Sequence, residues 1–505
     1  MEWDNSVSRQ RICLIMFTAA VLWMFFLGKF FSLQVISHEE LSEAAAMQHL
    51  VRVEGLDSRG RILDRNLQPL TGNTRKYCYF LPKDRMDDTA VSLLEAVSAA
   101  EISSGDRNHS QYTVWQTELY DETVSRHLKE KYNAYVLCLT SRYSSQQPAC
   151  HLTGYLHEAD QTGAAGLEKA FEERLKSTEN RLSLRADGIG RLLAFSAPVL
   201  EKENHLHPTS LVTTLDLNLQ KLCEGAMYER NLTGALLVSD AGTGEILAWV
   251  SSPYFNPGQV EQYLDKDGGE LVNKCIQGEY PPGSLFKVVL AAAALESGAA
   301  GLEMDYLYTG KTEAEGIAPD REKVLEMADR LGFGKTVMGI FEEETDGNLP
   351  AAEETSQADI SDLSVGQGGL LATPVQVHQM MSAVAADGMM LPLSVIHSGE
   401  IRPAKRVLLE TSAAQIAAML KQAMESGTGA HGEWSCPVYG KTSTAEAVRA
   451  GRMVKQCWFS GFCEVGENRF AVTVLVENGE SGTASCLPVF RDITEYLTAG
   501  TGMLP

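Results

Sequence analysis

The chain has 505 residues and a formal charge of −23, from 66 Asp and Glu against 43 Lys and Arg. Its 44% hydrophobic and 22% charged content is that of a folded protein of roughly two to four domains and excludes wholesale disorder. The acidic surplus argues against a nucleic-acid partner, and ten cysteines, none in a C-x-x-C pair, exclude a disulfide-dense scaffold and leave zinc ribbons without their signature.

Residues 12–28 (ICLIMFTAAVLWMFFLG) are uncharged and mostly apolar. As a helix they rise about 25 Å, just short of a hydrocarbon core of about 30 Å. Lys29 interrupts, but Phe30, Phe31, Leu33, Val35 and Ile36 continue the pattern, and a lysine near a helix end snorkels to the interface. We therefore expect a membrane anchor over residues 12–36. Arg9 and Arg11 precede it and Glu39, Glu40 and Glu43 follow, which places residues 1–11 in the cytoplasm and the bulk of the chain outside. A cleaved signal peptide is the competing reading, but its apolar core is shorter and ends in small residues, not Phe-Phe.

Residues 37–205 read as mixed α and β, and the polar stretch 201–210 as a junction. Residues 211–216 then read as a strand and 217–227 as a helix. Residues 235–240 and 245–250 form a predicted hairpin around Ala241-Gly-Thr-Gly244. Near the end, 457–464 and 469–477 are further strands with a turn at 466–468, and 488–497 a helix. Interleaving without regular βαβ spacing predicts an α+β fold with an antiparallel sheet. Glu342, Glu343 and Glu344 are expected on a solvated face or loop.

The chemistry lies in Pro281-Pro-Gly-Ser-Leu-Phe-Lys287, followed by the apolar VVLAAAAL. Ser284 and Lys287, three apart, share a helix face. Pro282 and Gly283 place Ser284 near the first turn, where free N–H groups favour a developing anion. A serine hydroxyl needs a base, and a lysine desolvated among apolar residues can serve as one. Alone, S-x-x-K is also a helix cap followed by a snorkelling lysine. Downstream, however, stand Tyr439-Gly-Lys-Thr-Ser-Thr-Ala-Glu446 and Gln456-Cys-Trp-Phe-Ser-Gly-Phe462.

Together these motifs resemble the penicillin-binding proteins, whose signature set is S-x-x-K, S-D-N and K-T-G. Arg59-Gly-Arg-Ile-Leu-Asp-Arg-Asn66 resembles the box that opens the extracytoplasmic part of class B members. His151-Leu-Thr-Gly-Tyr155 and Gly166-Leu-Glu168 resemble later boxes of their non-catalytic domain. Thr213-Thr-Leu-Asp216 and Gly244-Glu-Ile-Leu-Ala248 are similar to the start of the transpeptidase domain. Ser364-Val-Gly-Gln-Gly368 with Thr373-Pro-Val-Gln376 is similar to the family's G-Q-G…T-P-x-Q segment. No glycosyltransferase domain fits ahead of residue 205, so class B is favoured over class A.

The resemblance implies a membrane-proximal pedestal or dimerisation domain at 37–205 and a transpeptidase domain at 206–505. It implies cross-linking of peptidoglycan stem peptides through an acyl-serine intermediate. Ser284 would be the nucleophile and Lys287 its base. Lys441 would bind the substrate carboxylate and help move the proton, with Thr442 hydrogen-bonding the same region. The N–H groups of Ser284 and Thr444 would form the oxyanion hole. No metal or organic cofactor is implied. β-Lactams would be covalent inhibitors, and a polytopic glycosyltransferase a partner through the anchor and membrane-proximal domain. Transpeptidation and D,D-carboxypeptidation share these residue types.

Two departures stand out. Ser443 replaces the usual glycine of K-T-G, where we expect adjustment rather than loss. No S-x-N stands between Lys287 and Lys441; the chain passes from Tyr308-Thr-Gly310 to Asp320–Gly334, which resembles what normally follows that motif, so the segment reads as deleted. That loss supports an alternative reading, a catalytically impaired homologue that acts as a scaffold or regulator. Several other residues are read as structural. Asp64 and Arg65 are read as an internal ion pair, His205 and His207 as solvated loop residues, and His378 as a satisfied helix histidine. Glu446 is structural, Trp458 and Phe459 are strand core behind the site, and Cys457 and Cys463 are not paired.

Overall fold

The structure is a computed structural model. It describes residues 5–32, 50–53, 59–72, 74–102, 112–157, 161–176, 180–185, 199–202, 209–298, 307, 321–351, 369–397, 403–427, 429, 433–449 and 452–500. His205, His207, the 308–320 segment and Ser364–Gly368 lie outside these.

The N-terminal apolar run forms α1 (Asn5–Phe31). Residues 14–31 are exposed all round and long and apolar enough to cross a membrane. A helix hydrophobic on every face yet unburied lacks the solvent face of a soluble surface helix.

The chain divides into two compact units. One comprises 1–57, 75–140 and 179–205, and the other 58–74, 141–178 and 206–505. The first holds a four-stranded sheet in the order Ala100–Ile102, Tyr112–Thr117, Thr74–Pro82, Tyr135–Ser141. Helices Asp88–Ala96 and Glu122–Tyr132 belong to the same unit, each capped by an aspartate, Asp87 and Asp121, that accepts first-turn amides. Tyr79, Leu81, Leu94 and Leu128 form its core.

The second unit draws in two segments ahead of residue 205. Ile62 and Leu63 pair in parallel with Leu211 and Val212. Arg59 Nε donates to Glu168 Oε2 at 2.6 Å and Arg142 Nε to Glu168 Oε1 at 2.7 Å. The Arg59 and Glu168 boxes are thus held together by a carboxylate with no solvent exposure. Asp64 does not pair with Arg65. Its Oδ1 accepts the amides of Asn66 and Gln68, its Oδ2 that of Leu217, and Arg65 reaches Glu245 instead, at 3.3 Å.

The rest of this unit is built on one antiparallel sheet. α2 (Leu217–Tyr228) starts at Asp216, whose side chain accepts from Asn218 and Leu219. The predicted hairpin forms as β1 (Gly234–Asp240) and β2 (Ile246–Ser252). α3 (Lys287–Glu296) is buried on every side, as its apolar sequence demands. α4 (Pro374–Ala385) begins at Thr373, and Thr373-Pro-Val-Gln376 is a capping box with Pro at its start. α5 is Glu410–Ser426. β3 (Val438–Arg449), β4 (Arg452–Val465) and β5 (Asn468–Glu477) follow, and α6 (Leu487–Gly500) closes the described chain. The sheet order is β2-β1-β5-β4-β3, all antiparallel, with β3 at the edge.

Glu344 is no solvated residue: it is 8% exposed and accepts the amides of Val337, Met338 and Gly339 at 2.7–2.8 Å. Glu343 accepts from the Gly166 amide, and only Glu342, paired with Lys169, lies in solvent. His378 on α4 is fully buried between the hydroxyls of Thr473 and Ser239, at 3.0 and 2.8 Å. Burial pulls its pKa down to about 3, so it is a neutral structural residue.

Candidate active site

Ser284 does not open the α-helix directly. Gly283–Phe286 form a single 3-10 turn that runs into α3 at Lys287. A 3-10 turn has three residues per turn, so Ser284 and Lys287 eclipse one another on one face. Gly283 has φ +58°, and a Cβ there would come within 2.2 Å of Ser443 Oγ. Only glycine fits this backbone position against that neighbour.

The turn is fastened to the sheet. Trp458 on β4 is fully buried and donates Nε1–H to the Pro281 carbonyl at 3.0 Å. It is core, as the sequence predicts, and also a clamp on the residues ahead of Ser284. Beneath lies a cluster that no motif revealed, made of Lys274, Tyr280 and Glu477. Local pattern carries no trace of it, because Glu477 comes from the far end of β5 and meets the others only through sheet register.

Lys287 is 6% exposed, and burial lowers its pKa below the usual lysine range. Lys441, on edge strand β3, is equally buried. Burial first, and then the like charge of Lys287, bring it down to about 8. Lys441 Nζ donates to the carbonyl of Thr442 at 2.5 Å.

Strand register sets the backbone donors. Glu464 N–H bonds to Pro437 O, and the β3–β4 register runs without a shift from Val438↔Cys463 to Arg449↔Arg452. In an antiparallel ladder bonded and non-bonded pairs alternate. Ser443 therefore sits in a bonded pair with Trp458, while the amides of Thr442 and Thr444 point to the open edge. Thr444 is exposed, and its Oγ1 accepts the Gly482 amide at 3.0 Å. Ser443 is 4% exposed, and its Oγ accepts the backbone N–H of Ser284 at 2.8 Å. The structure thus brings Ser284 against Ser443, which follows Lys441 and Thr442 on β3, and the charge of Lys287 reaches Lys441. Glu446 is exposed on the same strand, away from this group. Among the described residues no group of three or more His, Cys, Asp or Glu is placed to hold a metal ion.

An eclipsed serine and desolvated lysine beside an edge strand with outward amides suit nucleophilic acyl transfer. Comparisons with known proteins agree. The family model for the penicillin binding protein transpeptidase domain matches residues 234–316 and 309–495. The two stretches meet over 309–316, where the sequence lacks S-x-N. The chain is 24% identical to the peptidoglycan D,D-transpeptidase FtsI of Escherichia coli K12, over 93% of this chain and 88% of the relative. It is 23% identical to the peptidoglycan D,D-transpeptidase MrdA of Salmonella typhimurium, over 92% of each. Among solved structures, penicillin-binding protein 2 of Helicobacter pylori, in complex with MreC, has a similar fold. Its TM-score is 0.62 at 21% identity, covering 90% of this chain and 99% of that one. A chain from a peptidoglycan synthase complex gives TM-score 0.66 at 22% identity, over 98% and 99%.

Proposed function

The chain belongs to the penicillin-binding protein transpeptidase family, in its class B form, and on that premise we propose that it is a membrane-anchored peptidoglycan D,D-transpeptidase. Ser284 is the nucleophile and Lys287 takes its proton. Ser284 Oγ attacks the carbonyl between the two terminal D-alanines of a stem peptide. The C–O bond forms, the C–N bond breaks, and the proton passes to the departing D-alanine amine. An amine from a neighbouring stem peptide then resolves the ester. Lys441, still cationic below about pH 8, holds the substrate carboxylate with Thr442. The amides of Ser284 and Thr444 receive the oxyanion. A β-lactam acylates Ser284 by the same route, its ring C–N bond breaking in place of the peptide bond.

One observation carries this reading. Ser284 and a desolvated Lys287 share one face at the head of a buried helix, with a second desolvated lysine on the adjoining strand. A surface cap with a snorkelling lysine would show neither lysine buried. The N-terminal helix supports a single-pass anchor, with the Arg9 and Arg11 side cytoplasmic. The 37–205 and 206–505 division is proposed as pedestal and transpeptidase domains in sequence, with segments 58–74 and 141–178 folding in one unit with 206–505. Two solved relatives come from complexes, with MreC and in a peptidoglycan synthase complex. They support a wall-synthesis partner here, of which a polytopic glycosyltransferase is the proposed kind.

The test incubates the detergent-solubilised full chain with a stem peptide ending in D-Ala-D-Ala and an acceptor amine. Release of D-alanine with a new amide product supports transpeptidation, and release with hydrolysed peptide alone indicates carboxypeptidation. No release from a folded protein favours the second reading, a catalytically impaired scaffold or regulator. That reading rests on the absence of S-x-N between Lys287 and Lys441.

A further inference from the structure

We propose that the Ser443 side chain is a built-in plug of the oxyanion hole, which must swing away before Ser284 can be acylated. The proposal rests on the assignment above of the Ser284 and Thr444 amides as oxyanion donors. A backbone N–H offers one hydrogen. In this structure the hydrogen of Ser284 is already taken by Ser443 Oγ, at 2.8 Å. An incoming carbonyl oxygen must either share that donor in a weaker three-centre bond or displace the hydroxyl.

The hydroxyl is held against the donor from two sides. Ser443 is 4% exposed and sits in a bonded pair of the β3–β4 ladder, so its backbone cannot yield. The Gly283 backbone packs directly on it: a Cβ at Gly283 would lie 2.2 Å from Ser443 Oγ and 3.6 Å from Ser443 Cβ. The side chain is therefore wedged between strand and turn, and its escape is rotation about χ1 alone. A glycine at this position would leave the donor open. The hydroxyl costs the enzyme one hydrogen bond per acylation event. Its hydrogen bond goes to the Ser284 amide and not to the lysines assigned to the base and the carboxylate, so the proposal leaves binding of the substrate carboxylate intact.

An opposite role for the same atom is chemically reasonable. Having accepted from Ser284, Ser443 Oγ still carries its own hydrogen and could pass it to the substrate oxygen as a surrogate donor. The two roles predict opposite signs, which makes the test decisive.

The experiment measures acylation of the detergent-solubilised full chain by a fluorescent penicillin. It follows the rate against penicillin concentration, so that the limiting rate and the half-saturating concentration separate. Ser443→Ala and Ser443→Gly are compared with wild type, with Ser284→Ala as blank and thermal melts as a check of folding. Removing one oxyanion donor typically costs on the order of 100- to 1,000-fold, and a donor shared rather than lost costs less. The plug predicts a limiting rate on the order of tenfold higher in both variants, at unchanged half-saturation. Ala keeps the Cβ and strand backbone, so the same gain in Ala and Gly assigns the effect to the hydroxyl. Equal or slower limiting rates in folded variants, beside measurable wild-type labelling, overturn the plug and leave the catalytic reading standing. No labelling of any folded form overturns both.

Discussion

Lys274 and Glu477 form a buried ion pair, 3.4 Å from Nζ to Oε1, with side chains 5% and 9% exposed. The same carboxylate oxygen accepts the phenolic O–H of Tyr280 at 2.6 Å, one residue ahead of Pro281-Pro-Gly. Tyr280 also lies edge-on to Trp458, 6.1 Å between ring centres. The turn that carries Ser284 is therefore tied to the sheet through Glu477 as well as through Trp458. Removing one partner of a buried pair leaves an uncompensated charge. Glu477→Ala should destabilise the protein by about 3–5 kcal/mol, read from denaturant midpoints. Glu477→Ala combined with Lys274→Met should recover part of that loss.

A second buried carboxylate should behave alike. Glu168 has no solvent exposure and accepts from both Arg59 and Arg142. Glu168→Gln keeps the shape but removes the buried charge that Arg59 and Arg142 share, leaving Arg59 with Glu172 and Arg142 with the Gly60 carbonyl, and should cost up to about 3–5 kcal/mol. An unchanged unfolding curve would show that the two arginines find other acceptors.

In the proposed role, Lys441 would set a pH limit on catalysis. With its pKa brought down to about 8, it loses its charge on the alkaline side, so acylation by carboxylate-bearing penicillins should fall as pH rises through about 8. Stability runs the other way. Between about 8 and the unfolded lysine value near 10.4, the unfolded chain binds a proton that the folded one does not, so unfolding free energy rises with pH in that window. Lys441→Met should show a shallower slope, the buried Lys287 keeping its own part, and be more stable than wild type at pH 7, while losing acylation. Denaturant melts at pH 7, 9 and 10 check the sign.

Acid should weaken the fold through two histidines. Burial lowers His151 to about 4 and His378 to about 3. Below about pH 6.5 the unfolded chain takes up protons that the folded chain refuses. Unfolding free energy should therefore fall as pH drops from 6.5 towards 4, by up to about 1.4 kcal/mol per pH unit per histidine. His378→Gln should be less stable at pH 7, because it loses the contacts to Thr473 and Ser239, yet show a shallower acid slope. An identical slope would place the acid sensitivity elsewhere.

Where local chemistry dictates structure, the sequence was readable. Asp216 caps α2, the Ala241–Gly244 turn closes the β1–β2 hairpin, and Thr373-Pro-Val-Gln376 contains its own capping box. The shared face of Ser284 and Lys287 at the head of a buried helix was legible in their spacing and in the apolar run behind them. What escaped is set by tertiary register. Asp64 turns to backbone amides because its loop curls around it, and Glu344 caps a loop that a triplet of glutamates does not announce. The interleaving of 58–74 and 141–178 with 206–505 follows from strand pairing and the Glu168 cluster, which no polar junction near residue 205 reveals. Serine at 443 was readable as small, but only the approach of Gly283 shows which atom its hydroxyl meets.

Whether Ser284 and Lys287 form a working acylation site is open to direct measurement. The most direct measurement is intact-protein and peptide mass spectrometry of the full chain after exposure to benzylpenicillin, beside Ser284→Ala and Lys287→Ala. One adduct of the antibiotic's mass is expected on the peptide carrying Ser284. No adduct is expected in Ser284→Ala, and formation slowed on the order of 100-fold or more in Lys287→Ala, as for loss of a general base. An adduct that persists in Ser284→Ala, or no adduct on folded wild-type protein, would contradict an acylation site at Ser284.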